Sequence, residues 1–231
     1  LISTAQGNQN DFLGTLQNIH DQYRQYSSQY IDSTFLSNHD QNRVASELNG
    51  SKPKIKLAAS LLLTSPGTPF IYYGEELGQE GQKPDPNIRE PFDWYQDAQG
   101  PGMTTMSKGG FGQDMDYTYA DDGISLAEQE GVPGSIFEHY QRLIEIRNNH
   151  PALFHGENYQ KLDAPTGMYA YQVQSATNDL YVVHNLSETK REITVDSTVQ
   201  ELVTTTDYVS GDKITLSTYE TVILKTSAEL T

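Results

Sequence analysis

Asn38, His39 and Asp40 stand together just after a short run of β-branched and aromatic residues, Ser33-Thr34-Phe35-Leu36-Ser37, with Arg43 three positions further on. A carboxylate accepts hydrogen bonds, an imidazole can do either, and a guanidinium donates in a fixed fork, so this group is equipped to grip a polar ligand. A His-Asp pair at the C-terminal end of a parallel strand is where enzymes of alternating strands and helices set catalytic groups. The strand fixes position while the rim stays open. The same spacing also fits a local arrangement in which Asp40 caps the next turn, Arg43 pairs with it and His39 is a satisfied imidazole.

Other residues invite the same question. Glu75 and Glu76 are adjacent carboxylates, and Asp85 and Arg89 lie four apart. Asp114, Asp116, Asp121 and Asp122 are dense enough to suggest an ion, but the D-x-[DN]-x-[DN]-G calcium loop is absent, which favours a solvated acidic loop. No histidine spacing suits zinc. Asn49-Gly50-Ser51 and Asn185-Leu186-Ser187 are formal glycosylation acceptors.

Composition narrows the field. The 231 residues carry 31 Asp and Glu against 15 Lys and Arg, a net charge of −16, and no cysteine. Phosphate backbones and anionic lipids reward clustered basic residues, so nucleic acid and polybasic membrane attachment are disfavoured. No apolar run reaches the roughly 18 residues a membrane helix needs. Disulfide scaffolds and thiolate chemistry are excluded, and the redox compartment stays open. The chain begins at Leu1 without a basic and apolar leader, which leads us to expect a piece of something longer.

The elements that must hold these residues are legible. Phe12, Leu16, Ile19 and Tyr23 recur at helical spacing behind Asn10 and Asp11, predicting a capped helix over about 11–27. Ser33–Ser37 reads as a buried strand, Pro53–Leu63 as a helix closed by Ser65-Pro66-Gly67, and Phe70–Tyr73 as a second strand. Strand, helix, strand at this spacing is a parallel βαβ unit. From Gly74 to Gly134 the period vanishes, predicting a long functional loop. Ser135 and Glu138 predict a capping box opening a helix Ile136–Asn149, with Phe137, Tyr140, Leu143, Ile144 and the stem of Arg147 buried and Pro151 as its stop. Beyond it, alternating runs Met168–Val173, Leu180–Val183, Glu192–Val195 and Thr221–Leu224, with turn pairs such as Asn178-Asp179 and Gly211-Asp212 between them, predict an antiparallel β-sandwich.

With the elements in order, Phe35-Leu36-Ser37-Asn38-His39-Asp40 resembles the F-x-x-N-H-D region that ends barrel strand seven in the α-amylase family of glycoside hydrolases. Leu61 through Glu76 looks like helix seven, strand eight and the rim after it. Ile88-Arg89-Glu90-Pro91-Phe92-Asp93-Trp94 resembles the next family landmark, Arg142–Arg147 the end of the last barrel helix, and the β-region the C-terminal sandwich. The resemblance covers nearly the whole chain, and four landmarks in family order are far more specific than one N-H-D.

The resemblance implies a fold of the α/β plus all-β kind: the C-terminal part of a (β/α)8 TIM barrel over 1–155, with a rim loop at 74–134, then an antiparallel β-sandwich over 156–231. A whole barrel takes about 250 residues, so only part of one fits. Asp40 matches the family's transition-state-stabilising carboxylate and His39 the donor to the same sugar. Arg43 joins them as a substrate-binding candidate. Asp85 and Arg89 resemble a D-P-x-x-R arrangement that contacts outer sugars; a mutual surface ion pair is the plainer alternative. Trp94 and Tyr72-Tyr73 offer flat faces to pyranose rings, although core packing is the commoner fate. The family gives Glu75 and Glu76 no catalytic role.

Retaining hydrolysis needs a nucleophile and an acid about 5 to 5.5 Å apart. In the family these follow strands four and five, so neither is expected here. The implied function is hydrolysis of α-1,4-glucosidic bonds in starch or maltodextrin by the full-length protein, the isolated chain being inactive. The alternatives are an α-1,6-glucosidase, a glucanotransferase, or a non-catalytic carbohydrate-binding relative. Arg89–Trp94 leans towards the amylase, since α-glucosidases more often carry R-T-P-M-Q-W. The implied partner is an α-glucan or maltooligosaccharide. No cofactor or metal is expected in this chain, while calcium remains open for the full-length protein. A polymeric substrate implies secretion, with a cytoplasmic maltodextrinase as the alternative.

Overall fold

The computed structural model describes residues 1–97, 99–102, 121–155, 158–176, 179–194, 199–204, 209–210 and 213–226. A short helix α1 (Ile2–Ala5) precedes α2 (Phe12–Arg24), whose cap is Asp11: its carboxylate accepts from Gly14 N. The predicted end near residue 27 is too late, because the helix closes at Gln25.

Strand β1 (Ser33–Phe35) leads through the short α3 (Val44–Glu47) to α4 (Lys52–Thr64) and β2 (Thr68–Phe70). The two strands are parallel, with Ser33, Thr34 and Phe35 opposite Thr68, Pro69 and Phe70. Strand β1 starts where predicted but ends at Phe35 instead of Ser37, β2 lies earlier than predicted at Thr68–Phe70, and both alternate exposed and half-buried residues where buried strands were expected. Pairing begins where Thr68 N donates to Asp32 O at 2.7 Å, and the chain leaves strand geometry before Gly74, whose φ of 80° no strand accommodates. Helix α4 is buried along nearly its whole length because it is packed against α1 and α7 (Ile136–Asn149) and shares a core with the β-domain. Two short helices, α5 (Asp85–Ile88) and α6 (Leu126–Gln129), lie on the intervening segment.

Two expectations at α7 need correction. Ser135 Oγ accepts from Glu138 N, but Glu138 turns back to Gly131 N instead of Ser135 N, so the box is half formed. The reciprocal box is at Ser125 and Glu128, opening α6. Ile144 is 38% exposed, while His139 and Ile146 are buried: the apolar stripe faces α4 and is rotated from the predicted one.

The β-domain comprises β3 (Tyr159–Leu162), β4 (Met168–Val173), β5 (Leu180–Asn185), β6 (Arg191–Thr194), β7 (Val199–Thr204), β8 (Val209–Ser210), β9 (Lys213–Leu216) and β10 (Thr221–Thr226). Antiparallel pairing gives a five-stranded sheet, β3-β4-β5-β10-β7, and a three-stranded sheet, β6-β9-β8. Met168, Ala170, Val183, Val222 and Leu224 of the first sheet meet Ile214 and Leu216 of the second. The alternate residues Tyr169, Tyr171, Val182 and Ile223 join the core formed with the helices. This is the period-two alternation read from sequence, with both faces used. Val195, Asn178, Gly211 and Asp212 lie outside the described residues. The acceptor Asn185 is buried and donates to Thr189 O and Ser217 O, which removes it as a glycosylation site.

No described helix is long and apolar enough to cross a membrane.

Candidate functional site

Parallel pairing of β1 and β2 brings the segments that follow them to the same rim. After β1 the buried Leu36 and Ser37 anchor the chain, and Asn38 Oδ1 accepts from Asp40 N at 2.9 Å, fixing a turn that holds His39 and Asp40 outward. Their side chains are 67% and 64% exposed, with His39 Nε2 3.3 Å from Asp40 Oδ2.

Residues from the long loop close onto this turn. Arg89 Nη2 donates to Asp40 Oδ1 at 3.1 Å and to Asp85 Oδ2 at 2.7 Å, and Arg89 Nε donates to His39 O at 2.8 Å. Lys83 pairs with the other Asp85 oxygen. That hydrogen bond, with Arg89 beside it, holds the Asp85 carboxyl below the ordinary carboxylate range. His39, Asp40, Asp85 and Arg89 therefore converge, presenting acceptors and donors side by side to a ligand rich in hydroxyls. The Asp85–Arg89 ion pair exists, and it is also joined to Asp40.

Arg43 departs from its sequence-based role as a ligand contact. It is 1% exposed and lies under the rim, where Nη1 donates to Tyr73 O at 2.7 Å and Nη2 to Glu90 O at 3.4 Å. Its guanidinium carbon sits 4.7 Å from the Tyr72 ring centre and 5.0 Å from that of Tyr73. The carbonyls and rings take up a cation that would otherwise be costly to bury. The tyrosine pair, with centroids 4.7 Å apart, thus packs on arginine. Trp94 is 46% exposed and leans on Phe92 at 4.5 Å.

Gln79 and Gly74 were not singled out from sequence, and Tyr72 was singled out only as a stacking face; all three support the rim. Tyr72 OH donates to Ile88 O at 3.1 Å, and Gln79 Nε2 donates to Pro91 O at 2.7 Å. A Cβ on Gly74 would fall 2.0 Å from Gln79 Oε1 and 3.2 Å from Arg43 Nη1, so the glycine is required by crowding as well as by φ. The only local signal for these was the density of Tyr, Gly and Gln after β2. Glu75, read as rim structure, is buried and accepts from Ser37 Oγ at 2.7 Å and Tyr140 OH at 3.1 Å. Burial pushes it up to about 7, the two donors pulling the other way. Burial also pushes Glu90 up to about 7, with Arg43 opposing.

Among the described residues no group of three or more His, Cys, Asp or Glu side chains is arranged to hold a metal ion. Asp121 Oδ1 accepts from Gln96 and Asp122 Oδ1 from Ile124 N; Asp114 and Asp116 lie outside the described residues. Among the described residues the donor set does not fit calcium.

Comparison with known proteins agrees in both halves of the chain. The family described as "Alpha amylase, catalytic domain" matches residues 4–156, and "Alpha-amylase SusG C-terminal domain" matches residues 168–223. Alpha-amylase 3 of Dictyoglomus thermophilum is 37% identical over 202 residues, covering 86% of this chain and 39% of that protein. A 4-alpha-glucanotransferase of Thermotoga maritima is 33% identical over 162 residues, covering 68% and 35%. The crystal structure of an alpha-amylase from H. orenii superposes with a TM-score of 0.82 at 34% identity, covering 98% of this chain and 46% of that one. The chain thus spans less than half the length of each of these relatives.

Proposed function

This chain belongs to the α-amylase family of glycoside hydrolases, and from that premise we propose that the full-length protein hydrolyses α-1,4-glucosidic bonds of starch or maltodextrin with retention. The observation that carries the reading is the rim cluster: an outward carboxylate, Asp40, five residues past a parallel strand and tied to Arg89 and His39. Asp40 would accept from hydroxyls of the sugar whose bond breaks and, by its charge, stabilise the oxocarbenium-like transition state. His39 would donate to the same ring, while Asp85 and Arg89 would bracket a sugar further out. The nucleophile and the general acid would come from polypeptide outside these residues. Phe35 and Phe70, paired across β1 and β2, are 43% and 57% exposed, apolar surface that further barrel strands would cover.

The test is turnover of maltoheptaose by the full-length protein, with product anomers followed by NMR. The expected result is α-anomeric products, loss of turnover in Asp40→Asn, and none from residues 1–231 alone. Hydrolysis by those residues alone, abolished by Asp40→Asn, would overturn the division of labour. The glucanotransferase relative keeps transfer as a second reading. Products longer than the substrate would establish it, and cleavage of isomaltose in preference to maltoheptaose would establish α-1,6 specificity. Binding without any cleavage would mark a non-catalytic relative. A polymeric substrate points to action outside the cell.

A further inference from the structure

The rim cluster depends on Arg89, which lies on the loop after β2 and has no helix of normal length to hold it. The chain makes good that deficit with side chains reaching the main chain on both sides of Arg89. Ile88 O accepts from Tyr72 OH at 3.1 Å, and Glu90 O accepts from Arg43 Nη2 at 3.4 Å. The two donors are one stacked unit, the Arg43 guanidinium lying 4.7 Å over the Tyr72 ring. Arg43 is in turn tied at its own backbone, N donating to Gly81 O at 2.9 Å, and at Nη1, which donates to Tyr73 O. Arg89 then closes the circuit by donating back to His39 O and Asp40 Oδ1, four and three residues before Arg43.

We propose that Arg43 is a positioning residue that, without touching substrate, holds the Arg89 side chain against Asp40 by gripping the main chain beside it. This rests on the reading of the rim as a sugar site and goes beyond it, since it moves Arg43 from ligand contact to support. Lysine is not equivalent. It keeps the charge but presents a single nitrogen, which cannot reach two carbonyls on separate segments while lying flat on two rings.

Two measurements on the full-length protein test the inference. The first is hydrogen exchange of the 79–91 segment in Arg43→Lys and in Tyr72→Phe, the second variant being the conservative removal of the companion donor. Exchange of that segment about ten-fold faster, with α7 unchanged, is expected. Unchanged exchange in 79–91, or equal loosening of α7, would overturn the proposal, the latter marking Arg43 as merely structural. The second is a double-mutant cycle between Arg43→Lys and Arg89→Ala on maltoheptaose. Arg43→Lys alone is expected to raise KM about ten-fold with kcat much less affected, and to add little in the Arg89→Ala background. Full additivity would overturn the proposal. A wild-type protein that cleaves no α-glucan, yet loosens selectively at 79–91 in the variants, would sink the glucan reading and leave the link from Arg43 to Arg89 standing.

Discussion

Two arginines are buried in this chain, one at each end of β2, and their partners differ in kind. Arg147, from α7, donates to Leu63 O, Ser65 O and Gly67 O, all within five residues of one another, and lies over the Phe154 ring at 4.5 Å. Arg43 donates to carbonyls 30 and 47 residues away, on segments that carry exposed polar groups. The base arginine closes the C-terminus of α4 and the turn into β2, as a cap does. The rim arginine joins pieces of chain that would otherwise have little in common. Around Arg147 the tyrosines also seal: Tyr159 OH donates to Thr64 O at 2.7 Å and Tyr171 OH lies 2.6 Å from Thr64 Oγ1. Around Arg43 they stack and reach outward. The base of the molecule is built for stability and the rim for placement.

The contrast can be broken at several points. The largest expected effect is at the rim and is purely kinetic: Asp40→Asn in the full-length enzyme should lower kcat about a thousandfold while leaving the urea midpoint unmoved. A shifted midpoint would show that the rim carries stability after all. Next is Arg147→Met, which strands three carbonyls and should cost about 3 kcal/mol in equilibrium unfolding with KM unchanged. A normal midpoint with altered KM would invert the comparison. Tyr171→Phe should cost about 1 to 2 kcal/mol by the same assay, because its hydroxyl serves Thr64 and His184 in the dry seam between α4 and the β-domain.

The smallest effect is a pH slope. Glu75 titrates at about 7 in the fold and near 4.5 when unfolded, so the native state holds a proton that the unfolded chain releases between these values. Its contribution is therefore fully present below 4.5 and declines as pH rises through 7. Unfolding midpoints measured at about pH 5 and about pH 8 should fall for the wild type and fall less for Glu75→Gln. An identical fall in both would assign the slope elsewhere, Glu90 being the next group to test.

Local signals in the sequence were enough for much of this. Helix α7 runs from Ile136 to Asn149 as its pattern predicts, because Ser135 at one end and Pro151 at the other act within a turn or two. The rim turn was legible since N-H-D follows its strand directly. What depended on distant partners was not. Nothing near Arg43 announces that its acceptors are Tyr73 and Glu90, so its charge suggested a ligand. Ile144 and Ile146 are equally apolar, and only the seating of α7 on α4 decides which is covered. Glu138 had two acceptable amides within reach, and the loop geometry awarded it Gly131.

The five-stranded sheet has a practical consequence. Its three central strands, β4, β5 and β10, are covered on both faces among the described residues, by tyrosines and aliphatics on the side facing α2 and α4 and by a second apolar layer on the side facing β9. Cutting the protein after α7 would lay bare the apolar residues that the sheet covers, Phe12 with its ring against Tyr169 and Tyr171 among them, and favour aggregation. The terminal module is the floor on which the barrel stands, and anyone shortening this polypeptide must keep it.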